Sequence, residues 1–378
     1  MKTSLRAALF ACAVFSTLAF ASSALAAYTS PKLVVSSLTP QAAGSGGSVR
    51  IGAVVSNADD PTARVAIYIP TGYQIGTAAP GTKLGDVTAT AAAADLGGAI
   101  LPLTGELDAV DPNVLTAAQK AGISLCLNGA TASQTWVLHL TAAGQTLDVP
   151  MMVVATAGPE ATAGQAKLLV CLPPPDVPVG TPGRAQFGAK LLSATFGVSA
   201  ITQPAAAGDF RWTSLFTPYN PGVATVNAAG SVETQSIRHI PTQLKLNYAR
   251  KRVVTFRKVK GKRVKIVSTK VTFSSSATES GQPAAGPITT VAAGKKVGGA
   301  KGSFVFKGKS VTLTATADLH KGAAIPTGAA PTNTDLFYDD LGAAACTKSA
   351  IFGGLPCVAA TVGRSTPHAT VRIAGYTR

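Results

Sequence analysis

Negative charge is what this 378-residue chain has least of. Only 17 Asp and Glu stand against 33 Lys and Arg, and charged residues together make up 13% of the sequence. That is about half the usual share of a soluble domain. A solvated, disordered chain needs many charges and few apolar residues, so 46% hydrophobic content argues against that class. The 38 glycines and 24 prolines together stay below the roughly 25–30% that marks low complexity. Histidine is scarce too, and His139, His239, His320 and His368 stand apart from one another and from the cysteines. No C-x-x-C or Cys/His pair has zinc spacing, and neither H-E-x-x-H nor G-x-S-x-G occurs. The sequence therefore points to a non-enzyme, with no catalytic residue, metal ligand or cofactor to name.

Long hydrophobic runs are missing after the first residues. Lys2 and Arg6 precede an uncharged apolar run from Ala7 to Phe20, and Ala24-Leu25-Ala26 supplies small residues suited to signal peptidase. Residues 1–26 read as a signal peptide and Ala27 as the mature start. The run is shorter than the roughly 20 residues of a spanning helix, and no transmembrane segment is expected after cleavage. Cys12 sits too early for lipid attachment, and the LPxTG match at Leu101–Gly105 has no hydrophobic tail behind it. The expected location is secreted, extracellular or cell-surface associated. Without Cys12 four cysteines remain, Cys126, Cys171, Cys346 and Cys357, which allow three pairings. Sequence proximity favours Cys126 with Cys171 and Cys346 with Cys357. In an oxidising compartment each bond would stabilise the fold by about 2–4 kcal/mol.

What is present is strand pattern. Ser48–Val55, Ala63–Ile69, Trp136–Leu140 and Leu147–Val154 read as strands, as do Lys167–Cys171, Lys190–Gly197, Phe210–Phe216 and Ser231–Ile237. Asn57–Pro61 suggests a hairpin-like turn between the first two. One helix is expected, capped by Asp111 with Pro112 in its first turn, sharing Val114, Leu115 and Ala118 on one face up to Gly122. The expectation is all-β: two or three antiparallel β-sandwich domains, Ig-like or transthyretin-like, with very little helix. An N-terminal β-rich region would span 27–237 and a basic C-terminal sandwich 238–378.

The positive charge is local. From Arg238 to Lys321 there are 18 Lys and Arg against Glu279 and Asp318, and elsewhere the two signs balance. The peak runs through Arg250, Lys251, Arg252, Arg257, Lys258, Lys260, Lys262, Arg263 and Lys265. Two β-branched runs flank Lys260-Gly261-Lys262, a hairpin signature. Val264 and Ile266 lie opposite Arg263 and Lys265 in one run, while Val254 and Phe256 oppose Val253, Thr255 and Arg257 in the other. The expected ribbon packs one face and presents cations on the other. Such lysines can simply protect an edge. They can also dock on an anionic cell-surface polymer or on lipid headgroups. Nucleic acid is not expected, because only Tyr248 and Phe256 interleave with the cations and the protein is exported.

Two nearby motifs fail on a single residue, Ser303. It replaces the aromatic of an RNP1 strand in Lys301–Phe306 and the first glycine of a P-loop ending at Gly308-Lys309-Ser310. A wider pattern covers both. Gly281-Gln282-Pro283-Ala284-Ala285-Gly286 is followed by Ile288–Val291, Gly294–Gly298, Gly302–Phe306 and Ser310–Ala315. This resembles the rhythm of carboxypeptidase-regulatory-like and bacterial Ig-like domains, which implies a non-catalytic β-sandwich spacer or binding module. The Tyr28–Leu33 opening and the Cys346–Cys357 loop are similar to those of exported actinobacterial proteins. Between Asp318 and Cys357 a Gly/Ala/Pro-rich insertion departs from a compact module. Among the acids, Glu106, Asp108 and Asp111 form the densest group, better suited to turn and cap roles than to calcium. The alternative function is an exported hydrolase in the N-terminal region with His139 as base.

Overall fold

The computed structural model describes residues 27–29, 31–38, 43–44, 46–142, 144–240, 244–276, 278–279, 282–283, 288–317, 341–344, 346, 348–364 and 368–377. The expected signal peptide, His320 and the first part of the insertion lie outside them. The fold is all-β, as the strand pattern predicts. Strands β1 (Lys32–Ser37), β2 (Ser48–Val54), β3 (Thr62–Ile69), β4 (Gln74–Ile75), β5 (Lys83–Ala93) and β6 (Ala99–Val110) come first. Helix α1 (Ala117–Leu127) follows, then β7 (Ala132–Ala142), β8 (Gln145–Ala155), β9 (Ala166–Cys171), β10 (Ala189–Thr202), β11 (Gly208–Pro218) and β12 (Val232–Ile240). A long hairpin, β13 (Lys245–Val259) and β14 (Lys262–Ser276), precedes a short pair, β15 (Thr278–Glu279) and β16 (Gln282–Pro283). The remainder is β17 (Ile288–Ala292), β18 (Lys295–Gly298), β19 (Lys301–Phe306), β20 (Ser310–Ala317), β21 (Leu341–Ala344), β22 (Cys357–Arg364) and β23 (His368–Ala374).

The larger sheet runs β1-β2-β10-β5-β6-β7-β8-β9-β3-β11-β12-β22-β21, with β4 added at β10. It curls round one core. Alternation sends Trp136, Leu138 and Leu140 inward from β7 and leaves His139 outside, as the sequence predicts. Tyr73 stacks edge-on against Trp212 at 4.9 Å and Phe210 at 5.6 Å in the same core. β3 is buried on both faces, because α1 covers its outer side through Ala66, Tyr68 and Cys126.

Two local expectations change. Asp111 caps only the 3-10 turn Pro112–Val114, and Val114 is exposed. The helix starts afresh at Thr116, whose hydroxyl accepts from Gln119 N while the Gln119 side chain returns to Thr116 N. It then continues through Gly122 to Leu127, since one glycine weakens a helix without ending it. The Asn57–Pro61 turn does not close a hairpin: β2 pairs with β1 and β10, whereas β3 pairs with β9 and β11. Asp59 instead ties the turn to the N-terminal segment, accepting from Thr29 N, Thr29 Oγ1 and Ser56 N.

The edge of β1 is sealed by side chains rather than by another ladder. Val35 N donates to Ser236 Oγ at 2.9 Å, and Thr361 Oγ1 donates to the Leu33 carbonyl at 3.0 Å. Arg238 Nη2 donates to Ser37 Oγ. This explains why β12, although polar in sequence, is almost wholly buried: Glu233, Thr234, Gln235, Ser236 and Arg238 are all at most 2% exposed. Its other face receives the C-terminal loop, where Ser349 N donates to Glu233 Oε2.

Both favoured disulfides are present, Cys126–Cys171 and Cys346–Cys357, with Cα atoms 5.9 and 5.6 Å apart. The first pins α1 to the end of β9. The second closes a loop whose Phe352 packs on Tyr68.

The smaller sheet runs β13-β14-β19-β18-β17-β20-β23 over a core of Val271, Phe273, Val311, Leu313 and Ile373. β21 and β22 belong to the larger sheet, with β22 parallel to β12. The segment 238–378 therefore contributes to both sheets, and their division is not a single point near residue 238.

Candidate anionic-surface interface

The β13–β14 hairpin is much longer than the sheet that carries it. β14 pairs with β19 only over Thr269–Ser274, so 253–259 and 262–268 pair with each other alone among the described residues. The free part of this ribbon extends about 23 Å at roughly 3.3 Å per residue. It turns through Lys260 (φ 49) and Gly261 (φ 77), a two-residue loop with both residues left-handed. Glycine fits that geometry; lysine at the first position is a costly choice where Asn, Asp or Gly is usual. It places a cation at the very tip.

The register distributes charge differently from the sequence expectation. Val254 faces Val267, Phe256 faces Lys265 and Lys258 faces Arg263. That face also carries Arg250 and Arg252 and continues into the core at Val271 and Phe273. The opposite face holds Lys251 against Lys270, Arg257 against Val264, and Val253, Val259, Ile266 and Lys262. The two apolar sets, each on one face of its own strand, land on opposite faces of the ribbon. At the base of the free part Ser268 is buried and Val253, Ile266 and Val267 are half-buried, but toward the tip neither face packs. Tyr248, Val254, Phe256, Val259 and Val264 are 40–55% exposed.

Among the described residues no ion pair involves any of the nine expected cations. Arg250 is tied down otherwise: its Nη1 donates to the Ala374 carbonyl at 2.6 Å, and its guanidinium lies 5.1 Å from the Tyr376 ring centroid. It anchors the base of the ribbon. Arg263 lies 4.2 Å from the Phe256 ring centroid. Lys251–Lys270 and Lys258–Arg263 are like charges directly opposite, an arrangement that destabilises a ribbon. Lys270 was not singled out by the sequence reading. Counting outward from the two-residue loop would have placed it opposite Lys251.

The larger sheet offers less. His139 stands on its outer face, with Nδ1 2.8 Å from Asp148 Oδ1 and Nε2 3.7 Å from Asp108 Oδ2. Among the described residues it lines neither of two concave features of the larger sheet. One is a narrow apolar cleft of about 30 Å³ beside Pro61, Leu172 and Lys190, room for a water or two rather than a ligand. Burial holds Lys190 below the ordinary lysine range, against the pull of Asp59, Asp60 and Asp176. Its Nζ donates to the Asn57 carbonyl at 2.9 Å and also to the Asp59 carbonyl, so it serves the turn. The other feature is an open groove of about 540 Å³ along Gln74–Ala79 and Ser199–Thr202, lined without a charged side chain.

The acidic group does not converge. Lys83 pairs with Asp86 at 2.8 Å and Glu106 at 2.6 Å, Asp108 faces His139, and Asp111 caps its turn. Among the described residues no three His, Cys, Asp or Glu side chains gather to hold a metal. The LPxTG stretch lies inside β6, paired with β5 throughout and with β7 at Thr104 and Gly105. Comparison with protein-family models, with curated proteins and with solved structures finds no match.

Proposed function

We propose that this is an exported, non-catalytic, disulfide-stapled protein that binds an anionic cell-surface or extracellular partner through the β13–β14 ribbon. One observation carries the reading: the β13–β14 ribbon, exposed on both faces toward its tip, holds eleven cations, no acid, and two like-charge pairs set directly opposite. Protecting a sheet edge needs only a few scattered lysines. Stacking like charges across a ribbon costs stability, and an anionic partner would relieve that cost. The two disulfides and the signal-like N-terminus support an oxidising, extracellular setting. The smaller sheet acts as an Ig-like or regulatory-type carrier; its β17–β20 strands coincide with the resembling rhythm at 288–315.

The test is retention on an immobilised polyanion with elution by salt. Replacing Lys251, Arg252, Arg257, Lys258, Lys260, Lys262, Arg263 and Lys265 by Gln should move elution to far lower salt. Replacing Lys295, Lys296, Lys301, Lys307 and Lys309, which lie outside the ribbon, should move it much less. Equal effects of the two sets per charge removed would refute a ribbon-specific interface.

A further inference from the structure

A water-soluble polyanion satisfies cations but offers nothing to apolar side chains. Phe256, the largest exposed apolar side chain of the free ribbon, is 55% exposed, and Val254 beside it is 40% exposed. Both lie on one face. Around them on that face stand Arg252 toward the base, Lys265 directly opposite Phe256, and the Lys258–Arg263 pair toward the tip. An apolar centre is thus ringed by four long cationic side chains, and Arg263 is already stacked at 4.2 Å from the Phe256 ring. We propose that this face docks on an anionic phospholipid bilayer, with Val254 and Phe256 entering the headgroup–acyl boundary and Arg252, Lys258, Arg263 and Lys265 holding lipid phosphates. The inference rests on the cationic-ribbon reading above and names its partner.

The chemistry matches at each point. The boundary of a bilayer admits apolar groups to a depth of about 5–10 Å, within reach of side chains on a ribbon lying flat. Lys and Arg stems extend so that the charge stays with the phosphates while the stem covers apolar surface. Stacking on Phe256 holds the Arg263 charge beside the ring, so a phosphate bound there brings the ring to the lipid surface. Among the described residues the C-terminal segment meets this face only at its base, through Arg250 and Thr269, and leaves Val254 and Phe256 exposed.

The experiment uses the full-length, disulfide-bonded protein and three probes: vesicles of equimolar phosphatidylglycerol and phosphatidylcholine, vesicles of phosphatidylcholine alone, and soluble polyphosphate. Trp136 and Trp212 are fully buried in the larger sheet and give a constant background, so Phe256→Trp reports the ribbon. Its emission should shift to the blue with the anionic vesicles and stay unchanged with the other two probes. The double variant Val254→Thr/Phe256→Thr should bind anionic vesicles about tenfold more weakly, the loss expected for apolar burial, and keep its affinity for polyphosphate. No blue shift, or equal binding of both variants and the parent to anionic vesicles, overturns the lipid assignment and leaves the cationic interface standing. The quadruple variant Arg252→Gln/Lys258→Gln/Arg263→Gln/Lys265→Gln should lose both vesicles and polyphosphate. If it keeps both, the cationic reading itself fails.

Discussion

At the residue scale, the buried hydroxyl of Ser236 shows how a polar side chain can be worth more than an apolar one. It accepts from Val35 N and lies 3.1 Å from Thr361 Oγ1, so it stands where a neighbouring strand would otherwise be. Ser236→Ala should destabilise the fold by about 1–3 kcal/mol, because a buried backbone N–H loses its acceptor. Thermal unfolding measures this, and a neutral effect would show that the seam is not held there. Four tyrosines make a second prediction. Burial above all raises the pKa of Tyr28, Tyr68, Tyr73 and Tyr219. A raised folded pKa gives stability that is full below about pH 10 and is lost as the pH climbs beyond it, once the unfolded chain ionises. Absorbance at 295 nm should show these four ionising together with loss of circular dichroism. Their ionisation ahead of unfolding would contradict the burial. None of this was legible in sequence, where a polar strand such as β12 looks solvated; its burial follows from a neighbour some two hundred residues away.

Whole elements were read more easily than their partners. Period-two alternation placed Trp136, Leu138, Leu140 and His139 on their correct sides, since a strand's faces are a local property. The Asn57–Pro61 turn misled because turn chemistry says that the chain bends, not which strand it meets next. The basic hairpin was recognised, yet its faces were assigned strand by strand. Register across the loop, set by Lys260 and Gly261, decides how two single-strand patterns combine, and here it sends cations to both sides. A prediction belongs to this scale. Lys270→Thr removes a like charge from opposite Lys251 and places a β-branched, strand-favouring side chain in β14. It should raise stability by a few tenths to about 1 kcal/mol and weaken polyanion retention at the same time. A lowered melting temperature would mean that the pair is not repulsive in place. Stability and binding are expected to move in opposite directions along this ribbon.

At the scale of the whole molecule, the connectivity is the least local feature and the one composition could not hint at. The charge count drew a boundary near residue 238, but β12 crosses it and the chain returns at β21 and β22 before ending in β23. The larger sheet's β21 and β22 thus lie in sequence between β20 and β23 of the smaller one. Disulfide pairing was legible because both bonds are close in sequence, 45 and 11 residues apart. The return of β22 has a consequence in time. Thr361 caps the edge of β1, and Cys357 begins the strand that lies along β12. A chain delivered from its N-terminus presents β1 first and β22 nearly last, so the first strand waits for this part of its seal until some three hundred residues have followed. The smaller sheet waits as well, because β23 comes later still. Each sheet is thus completed by a strand from the last part of the chain, β22 in the larger and β23 in the smaller.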